Sequence, residues 1–165
     1  MRTIARWIVN QACLGLILGG APASAQLPSA DPAPPRPSAL DVPYLAQSEL
    51  LCGGAALAMV ERWWGRRGVY AEDFAALVRP ELRGIRTTDL AAAARTRGWE
   101  TRAFDGSPEE VRRILAEGVP AVALLQVAPD RYHYVVLLAW SDRGVVFHDP
   151  ARAPSLVFTE ARFLR

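Results

Sequence analysis

The chain contains no lysine: its 19 basic residues are all arginine, set against 17 acidic ones. The two signs are mixed along the sequence. No stripe of positive charge is left for nucleic acid and no polybasic cluster for a membrane surface, so both partners are excluded. Histidine occurs only at His133 and His148, and cysteine only at Cys13 and Cys52. Long hydrophobic runs are missing too. The most apolar early stretch, Ile8 to Leu18, is interrupted by Asn10 and Gln11. It is much shorter than the roughly 20 residues of a membrane-spanning helix. Internal repeats are absent, and 165 residues argue for one domain once any targeting segment is set aside.

What the N-terminus does have is the layout of an export signal. Arg2 and Arg6 give a positive start, the apolar run follows, and Ala23-Ser24-Ala25 is a small-x-small cleavage site before Gln26. Residues 1–25 are therefore expected to be removed on export, leaving a periplasmic or secreted protein with no membrane insertion. Only Arg2 and Arg6 among the charges would go, so 19 − 2 = 17 basic residues would face 17 acidic ones in a neutral mature chain. Residues 26–41, rich in Pro, Ala and Ser, read as an extended linker. The folded part is expected over residues 42–165. Cys13 would leave with the signal, so no internal disulfide could form. A lone thiol in an oxidising compartment is either buried and inert or kept for its reactivity.

Cys52 to Trp64 is apolar on nearly every face, which marks a central buried helix, and Gly65 ends it. Further helices are expected over Ala71–Val78, bounded by Pro80, and from Asp89 to about Arg97. Trp99–Phe104 alternates like a short strand. Ser107-Pro108-Glu109-Glu110 supplies an N-cap, a proline in the first turn and a capping-box glutamate for a helix reaching Glu117. The chain then changes character. Ala121–Val127, His133–Trp140 and Val145–Asp149 are β-branched or apolar runs, and Ser141-Asp142-Arg143-Gly144 has hairpin chemistry. Residues Glu160 to Arg165 start another helical pattern. Helices first and an antiparallel sheet second is the mark of an α+β domain.

The placement of Cys52 at a helix start matters chemically. Unpaired N–H groups and the positive end of the helix dipole stabilise a thiolate. Gly53 and Gly54 would present bare backbone beside the sulfur, where a substrate chain can approach. If the thiol is catalytic, its base must be His133 or His148. Asp149 is the candidate orienting carboxylate. It lies an even 149 − 133 = 16 residues from His133, and a hairpin loop of three or five residues would put both on one face. His148 would then point to the other face. Gln47, five residues before Cys52, could donate with the Cys52 N–H to an oxyanion. A metal site of Cys52, His133 and His148 is the poorer alternative, because the close ligand pairs of zinc sites are missing.

Gln47 to Val60, with Trp64-Gly65 beyond, resembles the nucleophile segment of papain-like cysteine peptidase family 39, the enzymes that cut bacteriocin leaders after a double glycine. His133-Tyr134-Val135-Val136-Leu137 and Phe147-His148-Asp149-Pro150 resemble that family's histidine strand and Asp-Pro strand end. The resemblance runs from about Val42 to Pro150. It implies a papain-like α+β fold in which Cys52 is nucleophile, His133 base, Asp149 orienter and Gln47 oxyanion donor. It implies a peptide or protein substrate, and neither metal nor cofactor. The pattern departs from the family in three ways. The signal points to a free-standing exported form rather than a domain fused to an exporter. Gly54 stands where Pro or Ala is more usual, and a closing helix and strand would be expected beyond Arg165. A peptide-binding module of the same fold that does not cut is the alternative reading.

Overall fold

The structure, a computed structural model, describes the backbone of residues 5–10 and residues 39–165, the side chain of Asp105 excepted. The expected cleavage site and most of the linker lie outside the described residues. The helical half comprises α1 (Cys52–Trp63), a 3₁₀ helix (Ala71–Leu77), a two-residue strand pair β2 (Val78–Arg79) and β3 (Gly84–Ile85), and α2 (Thr87–Thr96). After β4 (Glu100–Asp105) and α3 (Pro108–Ala116) come β5 (Ala121–Ala128), β6 (Arg131–Ser141), β7 (Gly144–Asp149), β8 (Ala153–Phe158) and α4 (Glu160–Phe163).

The strands β5 to β8 form an antiparallel meander. A strand β1 (Ala5–Asn10) lies between β4 and β5, antiparallel to both, so the sheet order is β4-β1-β5-β6-β7-β8. Ala5–Asn10 falls in the stretch expected to leave as a signal, and among the described residues β4 has no other partner in the sheet. The folded part also begins earlier than Val42, since Leu40 N–H donates to the Leu138 carbonyl at 3.1 Å.

β6 reads as a continuous apolar run because both of its faces are covered. Tyr134, Val136 and Leu138 join the cluster built on α1, with Leu57, Met59 and Val60. Val135 and Leu137 join the opposite cluster of Val111, Leu115, Phe147 and Phe163. Burying a side chain of this size contributes about 1.5–3 kcal/mol, so the two faces of β6 tie the helical half to the sheet.

The segment expected as an α-helix over Ala71–Val78 is a 3₁₀ helix. Its buried residues are Ala71 and Phe74, spaced by three, which a threefold helix stacks on one line. The Asp73 carboxylate accepts the Tyr70 N–H at 3.1 Å and closes its first turn. The N-cap and first-turn proline expected for α3 are present: Ser107 Oγ accepts the Glu110 N–H at 3.2 Å, and Pro108 opens the helix, while the Glu110 carboxylate pairs with Arg102.

The β6–β7 hairpin differs from expectation in an instructive way. Ser141 pairs with Gly144, so the loop is the two residues Asp142 and Arg143 rather than three or five. A two-residue loop alone would put His133 and Asp149 on opposite faces. A β-bulge restores the count, because Leu137 pairs with Phe147 and Ala139 with Val146, leaving Leu138 as an extra residue. Beyond the bulge Trp140 shares a cluster with Leu137 and Val135, three and five residues away, where an unbroken strand would keep it on the other face.

Candidate active site

Cys52 is the first residue of α1 and is 8% exposed. The turn before it is tight. Leu51 N–H donates to the Ser48 carbonyl at 3.1 Å, and Leu50 sits in the left-handed region at φ 63°. A leucine there costs about 1–2 kcal/mol, so the turn is held by its surroundings. It swings the chain from the end of β7 onto the axis of α1.

His133 enters from β6 and Asp149 from the end of β7. With Val136 opposite His148, Asp149 stands opposite Val135, diagonal to His133 and on its face. The His133 Nε2 to Asp149 Oδ1 distance is 2.7 Å. Asp149 Oδ1 also accepts the Ala151 N–H at 2.9 Å, which fixes the carboxylate. Arg152 Nε lies 3.6 Å from the other oxygen. With Nε2–H directed at Asp149, Nδ1 is the ring nitrogen left for the Cys52 thiol, to which the imidazole is also hydrogen-bonded.

The electrostatics of the pair run in opposite directions. Burial pushes the Cys52 thiol up, but the hydrogen bond to His133, the Tyr134 and Gly53 N–H groups and the charge of His133 outweigh it, leaving its pKa below the ordinary thiol value. Burial pulls His133 down. Its hydrogen bonds to Cys52 and Asp149, together with their charges, outweigh that and leave its pKa above the ordinary imidazole value. A lowered thiol beside a raised imidazole favours movement of the proton from sulfur toward the ring.

Two expected site residues are placed differently. A Cβ on Gly53 would lie 3.0 Å from the Tyr134 ring, and one on Gly54 would lie 2.7 Å from the Ala71 carbonyl oxygen. The Cβ directions of both glycines are therefore filled by protein. Their smallness lets α1 pack closely on β6 and on the 3₁₀ helix. Gly53 still contributes its N–H to the sulfur. Gln47 is brought to the Asp149-Pro150 strand end, where its N–H donates to the Pro150 carbonyl at 2.9 Å. Its side-chain oxygen is buried with no hydrogen-bond partner among the described residues.

His148 faces away from the thiol. It is 4% exposed, with Nε2 at 2.8 Å from the Val42 carbonyl oxygen and Nδ1 at 2.9 Å from the Ser155 nitrogen. Cys52, His133 and His148 therefore do not converge as metal ligands.

Tyr134 is a site residue the sequence reading passed over. Its N–H supports the sulfur, its ring covers Gly53, and its hydroxyl donates to the Ile85 carbonyl at 3.3 Å while 2.8 Å from Thr87 Oγ1. Burial, above all, pushes this phenol up to about 12, so it stays protonated. Its position next to the candidate base was the available signal.

Residues 42–163 match the family model described as the peptidase C39 family. Among solved structures, the chain is similar to a double glycine motif protease from an AMS/PCAT transporter, crystallised in complex with the leader peptide. Identity is 24%, with 76% of this chain and 85% of that one covered, at a TM-score of 0.60. It is also similar to a C39-like peptidase structure from Bacillus anthracis, at 16% identity, 78% and 90% coverage and a TM-score of 0.57. The search of curated proteins gives no match. These likenesses establish the expected papain-like α+β arrangement, with a buried cysteine helix packed on an antiparallel sheet.

Proposed function

Because the chain belongs to the peptidase C39 family, we propose that it hydrolyses peptide bonds in exported peptides or proteins, with Cys52 as nucleophile and His133 as general base. The observation that carries this reading is the relay from thiol to imidazole to the Asp149 carboxylate, with thiol and imidazole shifted in opposite directions.

The thiolate of Cys52 attacks the scissile carbonyl carbon and forms a C–S bond, sending the carbonyl π electrons to oxygen. The Cys52 N–H, at the open end of α1, is one donor for that oxyanion. The Gln47 amide is the second. A half-turn about its last side-chain torsion exchanges the buried, unpartnered oxygen for the amide nitrogen within the same volume. Imidazolium His133 gives its proton to the departing amine as the C–N bond breaks, leaving an acyl-enzyme. Neutral His133 then takes a proton from water, whose oxygen attacks the thioester and releases the acid and the thiolate. Asp149 holds the ring by its Nε2–H and stabilises the imidazolium. The transporter protease solved with its leader peptide supports a peptide as the class of substrate. The N-terminal pattern of residues 1–25 supports action outside the cytoplasm.

The test uses the full chain carrying Cys13→Ser, so that Cys52 is its only thiol. Iodoacetamide labelling is followed by intact mass across pH, beside His133→Ala, and turnover is followed with a fluorogenic casein reporter. Labelling that is fast well below the ordinary thiol pKa and slow there in His133→Ala, with turnover abolished by Cys52→Ala, is the expected result. Ordinary thiol titration in both proteins, with no turnover, would replace the reading with a peptide-binding module.

A further inference from the structure

His148 is a buried titratable side chain that the proposed reaction does not use, and its surroundings explain why it is there. The β7–β8 ladder is irregular at this point. Phe147 pairs with Leu156 and Asp149 with Ala153, so one residue of β7 faces two of β8, Pro154 and Ser155. Pro154 has no N–H to place. Ser155 has one, and with φ at 49° it leaves the ladder and donates to His148 Nδ1 at 2.9 Å. A backbone N–H can only donate, so Nδ1 carries a lone pair. Nε2 then carries the proton and donates to the Val42 carbonyl at 2.8 Å. The ring is fixed as one neutral tautomer with both nitrogens used.

Val42 opens a segment that runs beside the end of β7 and meets it in step. Tyr44 meets the His148 ring edge-on at 5.4 Å between centroids, and its hydroxyl donates to the Asp149 carbonyl at 3.2 Å. Gln47 N–H reaches the Pro150 carbonyl at 2.9 Å. Residues 42, 44 and 47 thus engage 148, 149 and 150 in order. The second segment carries the orienting carboxylate, and the first carries the candidate oxyanion donor.

We propose that His148 is a positioning residue, a clamp that docks the Gln47 segment on the end of β7 and so sets the candidate oxyanion donor, while the Asp149 carboxylate is held separately by the Ala151 N–H. This rests on the proposed peptidase reading. The clamp leaves the thiol–imidazole pair alone, which gives it a signature a general loss of structure would not have.

The experiment compares the full chain with His148→Phe, His148→Gln and Tyr44→Phe. It reads kcat and KM on the casein reporter, the pH profile of Cys52 labelling, and hydrogen exchange at the Gln47 amide. Removing an oxyanion donor outright costs about a hundredfold to a thousandfold in kcat. Loosening one through the clamp should therefore lower kcat about tenfold to a hundredfold in His148→Phe. KM and the labelling profile should stay within about twofold, and Gln47 exchange should quicken by at least about tenfold. His148→Gln, whose amide donates from nearly the Nε2 position, should recover most of the loss. Tyr44→Phe should move the same readouts in the same direction by less.

Unchanged kcat and unchanged Gln47 protection in His148→Phe would overturn the clamp while leaving the peptidase reading intact. If His148→Phe does not fold, Tyr44→Phe decides alone, since it removes one hydroxyl from a half-buried ring; no change in its kcat or Gln47 exchange overturns the clamp. A parent protein with no turnover and an ordinary Cys52 titration would overturn the peptidase reading, and the positioning role with it.

Discussion

At the scale of the residue, burial acts on both Cys52 and His133, and the contacts that outweigh it include the hydrogen bond and charge each gives the other. For Cys52 the folded pKa is below the ordinary value, so its contribution to stability is present at high pH and is lost as pH falls through the lowered value. For His133 the folded pKa is raised, so its contribution is present at low pH and is lost as pH rises through the raised value. The thiol's contribution therefore fades toward acid pH and the imidazole's toward alkaline pH. In Cys52→Ala the His133 titration should move down, because burial is then opposed by Asp149 alone. Carbon-detected NMR of the two histidines checks this; a His133 titration unmoved by the substitution would show that the thiol does not sit on the ring. The juxtaposition of Cys52, His133 and Asp149 was legible in the sequence because each is a rare or terminally placed residue: the one cysteine beyond the expected signal, a histidine near a strand start, the aspartate before a proline. The roles of Gly53 and Gly54 were not. Whether a bare Cα faces a cleft or a neighbouring ring depends on which elements pack there, and Tyr134 and Ala71 are distant in sequence.

At the scale of the element, helix termini and strand runs were readable because caps and alternation are local. Ser107-Pro108 and the apolar β6 run are examples. β8 went unseen: an edge strand pairs on one side only, and Ala153-Pro154-Ser155 has a proline and a left-handed residue where a central strand would have neither. The shared face of His133 and Asp149 was foreseen from parity, but by the wrong device, since a bulge at Leu138 leaves no mark in composition. Deleting Leu138 tests that device. It should remove the bulge, return the strand to unbroken alternation and turn His133 away from Asp149. Labelling of Cys52 below neutral pH should then fall at least about tenfold while circular dichroism still reports the sheet; rapid labelling in that variant would show that the bulge does not set the register. The close approach of α1 to the 3₁₀ helix is a second element-scale constraint. Gly54→Ala, which drives a Cβ against the Ala71 carbonyl, should destabilise the fold by about 1–3 kcal/mol, as overpacking does. Urea unfolding reads it, and an unchanged midpoint would mean that the two elements slide apart without cost.

At the scale of the whole molecule, one buried carboxylate ties the helical half together. Glu61 on α1 is 0% exposed, and Arg97 at the end of α2 grips it with three N–H···O contacts of 2.8–3.1 Å. The site itself is divided between the halves, with the sulfur on α1 and the imidazole and carboxylate on β6 and β7. That division has a consequence in time. Cys52 is made long before His133 and Asp149, and nothing in its own neighbourhood along the chain supplies the imidazole that outweighs burial and brings the thiol's pKa down. Until the sheet has formed and docked, the thiol has no base to draw on. The chain therefore passes through synthesis with its thiol and imidazole apart, and brings them together in the act of folding.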